Sequence, residues 1–520
     1  MSDPFAVLRG GARFKPNRTA QECRHGGTGR PASAAASRAA LDFFGDGAAS
    51  APAASDAELL PKRRGDDATR TGKRRKTAGP AADAAAEVAV SATTLEESRV
   101  YRKRRRIYVK GTDPPNAIRG FNELGALGLA RRTVAQLLSF GYDEPSAIQA
   151  QAIPSMMAGR DLLGIAPTGS GKTLAFSVPI VAALGGPAAK GFRAAIVAPT
   201  RELAVQIKRE FDRIAVGTKL QVRLLDKSTA SVNSFGPKTS GKFDVVITTP
   251  LRLVHALSIR GGLSLANVEW LVLDEADQLF ENGFDQQVDE IIAACSKRGR
   301  RIALFSATMP QRVEELARSV LHDPLRVRVG AQNAAAVGVK QRLLYVSNEQ
   351  GKMVAMRQLV QEGLKPPVLI FVQSKGRAKE LFSELVYDGI NVDVIHADRT
   401  KKQRDDVVKQ FRAGTIWVLI STDLMARGVD FKGVNVVINY DFPANAVDYI
   451  HRIGRTGRAG RSGSAVTFFT EKDGGSLRSI ANVMKSSGCD VPEWMFKLRN
   501  QRKGKARVVE RESISTDAPK

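Results

Sequence analysis

The stretch at residues 162–174, LLGIAPTGSGKTL, constrains this chain more than any other. A short apolar run enters a glycine-rich turn, followed by Lys172, Thr173 and a second apolar run. This is G-x-x-x-x-G-K-[ST] with Ala166 in place of the first glycine. A strand in front and a helix behind turn such a loop into a phosphate cradle. Its backbone N–H groups converge, and the helix N-terminus adds partial positive charge. The expected ligand is a triphosphate held by Ala166, Pro167, Thr168, Gly169, Ser170 and Gly171. Lys172 reaches the β- and γ-phosphates, and Thr173 ligates Mg²⁺. The plainer alternative, a flexible Gly/Ser turn, does not account for the flanking pattern.

The chain has 520 residues, enough for about three domains, and a net charge of +26. Of this surplus, +10 lies in residues 1–110 and +5 in residues 495–520, so the body between them keeps +11. An excess spread this way points to a polyanionic partner, nucleic acid first. Cys23, Cys295 and Cys489 stand too far apart for a disulfide framework or a zinc site. They suit a reducing compartment. No apolar run approaches the roughly 18 residues of a membrane span, so no membrane partner is expected, and the start MSDPFAVLRGG lacks a secretory pattern.

Residues 1–115 read as a disordered basic arm, because their Ala/Ser/Gly/Pro stretches lack apolar periodicity. Lys62-Arg63-Arg64 and Lys73-Arg74-Arg75-Lys76 have the spacing of a nuclear-import signal, and Arg102 to Arg106 adds a third cluster. Simple solvated charge is the alternative. From Phe121 the texture changes. Residues 161–165, 194–198, 244–248, 269–273 and 301–306 read as buried strands between helical patterns such as 201–214 and 286–295. That alternation predicts an α/β fold with a parallel sheet covered on both faces and ligands at the strands' carboxyl ends. Residues 324–338 read as a linker. A second alternating run follows, with strands at 368–372, 392–396, 417–421, 434–439 and 464–469. The expected organisation is an arm (1–115), an ATP-binding domain (116–332), a second α/β domain (340–490) and a basic tail (491–520). No second phosphate loop appears, so the later domain must complete the first site with something else.

Asp274-Glu275-Ala276-Asp277 follows an apolar strand. A carboxylate there, beside a phosphate loop, holds Mg²⁺ directly or through water, which assigns Asp274. Glu275 can polarise an attacking water as general base. An acidic helix cap is the alternative. The later domain carries His451-Arg452-Ile453-Gly454-Arg455-Thr456-Gly457-Arg458. Arginines so spaced suit bidentate phosphate contacts. Arg455 and Arg458 are the expected arginine fingers, stabilising transition-state charge when the domains close. A basic surface turn is the alternative.

These motifs, in this order over residues 121–469, resemble the DEAD-box RNA helicases, whose name Asp274–Asp277 spells. The resemblance implies two tandem RecA-like domains, ATP and Mg²⁺ as cofactors, and single-stranded and short duplex RNA as partner. Gly141-Tyr142-Asp143-Glu144-Pro145-Ser146-Ala147-Ile148-Gln149 is similar to the family's Q motif, which implies that Gln149 reads the adenine edge and Phe121 stacks on the ring. Pro199, Thr200 and Arg201, with Pro250 and Arg252, stand at RNA-backbone positions of the first domain. Leu251 replaces the usual glycine. A double glycine is missing, and Asp226-Lys227-Ser228 lies in its region. Ser306-Ala307-Thr308 resembles the motif coupling hydrolysis to strand separation through Asp277, and His451 joins the coupling set. Gln373, Arg404, Thr422, Asp423, Arg427 and Gly428 fall at RNA-contacting positions of the second domain, and Asp430 near the ribose.

A finer resemblance, carried by His396-Ala397-Asp398-Arg399-Thr400, the missing double glycine and the ending at 480–484 and 491–495, is to the branch acting in small ribosomal subunit biogenesis. It implies precursor ribosomal RNA or small nucleolar RNA as partner, pre-ribosomal assembly factors, and a nucleolar, nuclear location. Two readings follow. One is ATP-driven local unwinding or remodelling of RNA. The other is an ATP-gated RNA clamp or assembly platform with little unwinding of its own. A DNA translocase is disfavoured by the Q motif and the DEAD spelling.

Overall fold

Runs such as VVIT at Val245–Thr248 and WLVL at Trp270–Leu273 are buried at every position, as parallel strands covered on both faces must be. They belong to a computed structural model describing residues 95–142, 144–226, 242–259, 262–331, 338–396, 398–423, 431, 433–458, 461–498, 511, 513 and 514.

The first sheet contains β1 (Ile107–Lys110), β2 (Leu162–Ile165), β3 (Ala194–Val197), β4 (Val222–Leu224), β5 (Val245–Thr248), β6 (Trp270–Leu273), β7 (Arg301–Ser306) and β8 (Leu325–Val329). Its order is β1-β8-β2-β7-β6-β3-β5-β4, with every pairing parallel except β1 with β8. The second sheet contains β9 (Val339–Tyr345), β10 (Val368–Val372), β11 (Val392–Ile395), β12 (Val418–Thr422), β13 (Val436–Asn439) and β14 (Gly463–Phe469). It is wholly parallel, in the order β11-β12-β10-β13-β14-β9. Each sheet has an apolar cluster on either face. Helix Lys172–Leu184 is apolar almost all round and lies within the core. Helix Arg201–Ala215 is amphipathic and buries only Leu203, Ala204, Ile207, Phe211, Ile214 and Ala215. The expected α/β fold with two parallel-sheet domains is what forms.

Three boundaries differ from those read in the sequence. The arm ends earlier than residue 115. Residues 95–104 are helical and β1 extends the first sheet, with Ile107 buried. Arg102 is fixed by Gln151 Oε1 at 2.8 Å and by the Pro115 carbonyl at 2.7 Å. The basic run concealed this edge strand, because its charges line an exposed surface. The linker is also shorter than 324–338, since β8 occupies its first part. The tail is not detached from residue 491 onward: Met495 and Leu498 are buried against the second domain, and so is Ile514. Residues 1–94, with the import-type clusters and the arm's expected disorder, lie outside the described residues.

Candidate active site

The carboxyl ends of β2, β3, β6 and β7 place the phosphate loop, Pro199, Asp274 and Ser306 along one edge of the first sheet. Gly169 (φ 75°) and Gly171 (φ 89°) take left-handed backbone, which glycine adopts without strain. Gly171 caps helix Lys172–Leu184. The ammonium of Lys172 lies inside the loop and donates to the carbonyls of Ala166 (2.7 Å) and Pro167 (3.2 Å). Burial pushes its pKa down, opposed by Asp274, Glu275 and Asp277. Gln149 fastens the loop from the side. Its Oε1 accepts the Ser146 N–H at 2.9 Å and its Nε2 donates to the Gly171 carbonyl at 3.0 Å. Both ends of the amide are therefore engaged. Phe121 opens a 3₁₀ turn and points into the core, 1% exposed, tilted against Tyr142. Its ring has no open face in this arrangement.

Asp274 ends β6 as a buried carboxylate whose Oδ1 accepts the Glu275 N–H at 3.0 Å. Burial, then the Glu275 charge, pushes its pKa up to about 7, with Lys172 opposing. Glu275 has left-handed backbone, φ 49° and ψ 51°, which costs a non-glycine residue about 1–3 kcal/mol. Its Oε2 is buried without a hydrogen-bond partner. Two crowded buried carboxylates, one protonating readily and one with an unsatisfied oxygen, are what a cation and a bound water would relieve. The donor set therefore fits Mg²⁺ with Asp274 and Thr173.

Asp277 is fully buried, and its Oδ2 accepts from the Thr308 N–H (2.9 Å) and hydroxyl (2.7 Å). Ser306 donates to the Thr308 carbonyl at 2.7 Å, fixing the turn. The same Asp277 oxygen lies 3.1 Å from Nε2 of His451 in the second domain. Burial pushes Asp277 up, but His451, Thr308 and Lys172 outweigh it and hold it well below the usual carboxylate range. Burial likewise depresses His451, and Asp277 reverses the sign, leaving it raised.

Further contacts join the domains here. The Thr168 hydroxyl donates to the Gly454 carbonyl at 3.2 Å. The stem of Arg458 packs over Gly169 so closely that a Cβ there would lie 2.9 Å from its Cγ. Arg455 Nε donates to the His451 carbonyl (3.2 Å) and Arg458 Nε to that of Gly454 (3.0 Å). Helix Ala446–Ile453 and the turn after it thus bring Arg458 to the phosphate loop and leave Arg455 beside His451. Asp430, Arg427 and Gly428 lie outside the described residues.

On the RNA side, Arg201 and Arg252 line a cleft of about 300 Å³ with Ala204, Leu224, Leu225, Asp226 and Thr249. Thr200 caps helix Arg201–Ala215 by accepting from the Leu203 N–H, and Pro250 opens helix Pro250–Ser258. Pro199 leads into the first of these from β3. Asp226 occupies the region of the missing double glycine and pairs with Arg201 at 2.8 Å. Lys227 and Ser228 lie outside the described residues. In the second domain Arg404 reaches across to Glu202, 3.6 Å away. Thr422 ends β12. Asp423 is taken by Arg452, whose Nη2 donates at 2.7 Å, so this carboxylate orients an arginine. Sequence reading gave no role to Glu202 or Asp441, and took Arg452 only as part of a phosphate-contacting arginine run, whereas its guanidinium is engaged by Asp423. A signal existed for Asp441, a carboxylate just past the apolar strand β13, as Asp274 is past β6.

Comparison with known proteins agrees with this geometry. The DEAD/DEAH box helicase family pattern matches residues 146–316, and the helicase conserved C-terminal domain matches residues 351–460. The probable ATP-dependent RNA helicase DDX52 of Bos taurus is 53% identical over 431 residues, covering 81% of this chain and 72% of the relative. The ATP-dependent RNA helicase ROK1 of Meyerozyma guilliermondii is 46% identical, covering 82% and 81%. The structure of S. cerevisiae Dbp5 bound to RNA and ADP BeF3 has a TM-score of 0.62 at 28% identity, covering 72% of this chain and 95% of Dbp5.

Proposed function

Since this chain belongs to the DEAD-box family of ATP-dependent RNA helicases, we propose that it uses ATP to close its two domains on RNA and so unwinds or remodels short duplexes. The observation that carries this reading is the Asp277–His451 contact. Asp277 is bound to the Thr308 turn on one side and to the second domain on the other, so a change at the acidic edge of the nucleotide site reaches the domain interface. ATP and RNA binding across one cleft each favour closure, which couples the two sites.

Each side chain has a definite task. Lys172 is to leave the Ala166 and Pro167 carbonyls for the phosphates. The unsatisfied Glu275 carboxylate orients and deprotonates the attacking water. Arg455 and Arg458 turn from the carbonyls of His451 and Gly454 toward the γ-phosphate. Mg²⁺, held by Thr173 and Asp274, would supply charge neutralisation on the phosphates. Gln149 sets the loop's position, so an adenine edge meeting its amide is reported to Gly171 directly. Asp430 completes the nucleoside side, whereas Phe121, buried in the core against Tyr142, supports the site from within and does not offer the stacking face expected from sequence. RNA is to be held by Pro199, Thr200, Arg201, Pro250, Arg252, Gln373, Arg404, Thr422, Arg427 and Gly428, mainly through phosphates and 2′-hydroxyls with little base reading. Asp423 acts through Arg452.

The substrate we propose is precursor ribosomal RNA or its duplexes with small nucleolar RNA, met with assembly factors in the nucleolus during small-subunit formation. The relatives named DDX52 and ROK1 support this branch, with the basic clusters. The deciding experiment measures ATP hydrolysis with and without single-stranded RNA beside Glu275→Gln, together with displacement of a short RNA duplex. Several-fold stimulation, absent in the variant, and strand displacement are expected. ATP-dependent RNA binding without turnover above the variant would favour the clamp or platform.

A further inference from the structure

The residues following the second helicase domain contribute a side chain to it. Arg511 has a side chain only 2% exposed, inserted beyond the carboxyl ends of β10, β13 and β14. Its Nη1 is 3.0 Å from Glu349 Oε1 and its Nη2 2.7 Å from Asp473 Oδ1. Its Nε donates to Gln373 Oε1 at 3.1 Å and lies 3.7 Å from Asp441 Oδ1. Three residues on, Ile514 is buried in the second sheet's core and its N–H donates to Glu380 at 2.8 Å.

The cluster around Arg511 balances only with it present. Glu349, Asp441 and Asp473 face Lys352, Arg377 and Arg511. Lys352 is 3.0 Å from both Glu349 and Asp441, and Arg377 forks onto Asp441. Three carboxylates and three cations neutralise one another in a nearly dry site. Without Arg511 one carboxylate charge is left over beside Gln373.

Gln373 is the residue through which this cluster faces outward. Its N–H is held by Asp441 Oδ2 at 2.9 Å. A guanidinium is donor-only, so the amide group turned toward Arg511 must be the oxygen. The Gln373 NH₂ is thereby directed away from Arg511 with both donors available for acceptors such as phosphate oxygens. We infer that Arg511 is a positioning residue for RNA binding: it fixes the Gln373 amide with its donors outward and cancels the negative charge behind it. This rests on the reading of Gln373 as an RNA contact.

The test measures RNA-stimulated ATPase against the concentration of single-stranded poly(U), separating kcat from the half-saturating RNA. Arg511→Lys keeps the charge balance, and with it the fold, but loses the Nε donor. Arg511→Ala loses both. We expect half-saturating RNA to rise about threefold in Arg511→Lys and about tenfold in Arg511→Ala, the range of a lost charge-assisted hydrogen bond. The kcat and the KM for ATP should stay within about twofold. In a Gln373→Ala background, Arg511→Lys should add nothing. Unchanged RNA saturation in Arg511→Lys, or full additivity with Gln373→Ala, overturns the inference while leaving Gln373 an RNA contact. If Gln373→Ala alone leaves RNA saturation unchanged, the reading of Gln373 fails and the inference with it.

Discussion

His451 of the second domain and Asp277 of the first meet through Nε2 and Oδ2 at 3.1 Å, with both side chains buried. Asp277 is already saturated by the Thr308 N–H and hydroxyl, so it cannot follow His451 away from the cleft without breaking the Thr308 turn. The pair needs the two domains in contact, as they are in this structure. His451→Gln should therefore lower RNA-stimulated ATPase about 10- to 100-fold, as expected for a charge-assisted bond made only on closure. Binding of ATP in the absence of RNA should change less than about twofold. Equilibrium nucleotide binding beside steady-state ATPase checks this.

The same contact predicts a pH dependence of closure. His451 has an ordinary value of 6.5 and is raised here, because Asp277 outweighs burial. The closed form therefore holds the proton more tightly than an open form with a solvated imidazole. Its contribution is complete below about pH 6.5 and is lost as pH rises through the raised value. Asp277 is depressed from 3.8, so its contribution is present above that value and lost only on strong acidification. RNA binding in the presence of a non-hydrolysable ATP analogue should weaken as pH rises above 6.5, and His451→Gln should flatten the profile.

Gly454 offers a way to block closure without touching a charge. A Cβ there would be driven into the Thr168 hydroxyl and lie 3.0 Å from the Ile450 carbonyl. The nearest neighbour of that Cβ within the second domain is the Ile450 carbonyl, 3.0 Å away, and Gly454 has φ −68°, open to any L-residue. Gly454→Ala should leave the melting temperature within about 2 °C yet abolish RNA-stimulated ATPase, because the wedge acts between domains. Crosslinking between engineered cysteines across the cleft should report fewer closed molecules.

The fold was largely legible because parallel strands buried on both faces are continuous apolar runs. Arg301–Ser306 and Val368–Val372 stand where the pattern put them. β1 was missed because one face of an edge strand is wet, so its four residues make no long apolar run, and they follow directly on the Arg102 to Arg106 charge cluster. The places of the phosphate loop and the acidic turn in the fold were legible because each motif's spacing is set within one strand–loop–helix unit. The resemblance put Asp277 and His451 in one coupling set, but what was not legible is the pairing of Arg404 with Glu202 and of Arg511 with Gln373, Glu349 and Asp473. The last lay in a basic stretch without periodicity, where one buried arginine has no pattern to mark it.

The first domain's stability has a buried charge pair at its base. Asp244 Oδ1 accepts from Arg193 Nη2 at 2.8 Å and from the Ala188 N–H at 3.3 Å, and its Oδ2 accepts the Gln221 N–H at 3.1 Å. Arg193 also donates to the Leu184 carbonyl at 3.1 Å. The side chains are 8% and 3% exposed for Arg193 and Asp244, so water cannot replace either partner. Asp244→Ala should cost about 3–5 kcal/mol, since it strands a buried guanidinium and the Gln221 and Ala188 N–H groups. At about 2–4 °C per kcal/mol for a domain of this size, the first domain's melting transition should fall by roughly 6–20 °C. The second domain's transition should stay in place, because Asp244 touches nothing there. Arg193→Met combined with Asp244→Ala should recover part of the loss, since no charge is then left unpaired. Differential scanning calorimetry of the full chain resolves the two transitions, and equal loss in both would show that the domains unfold as one unit.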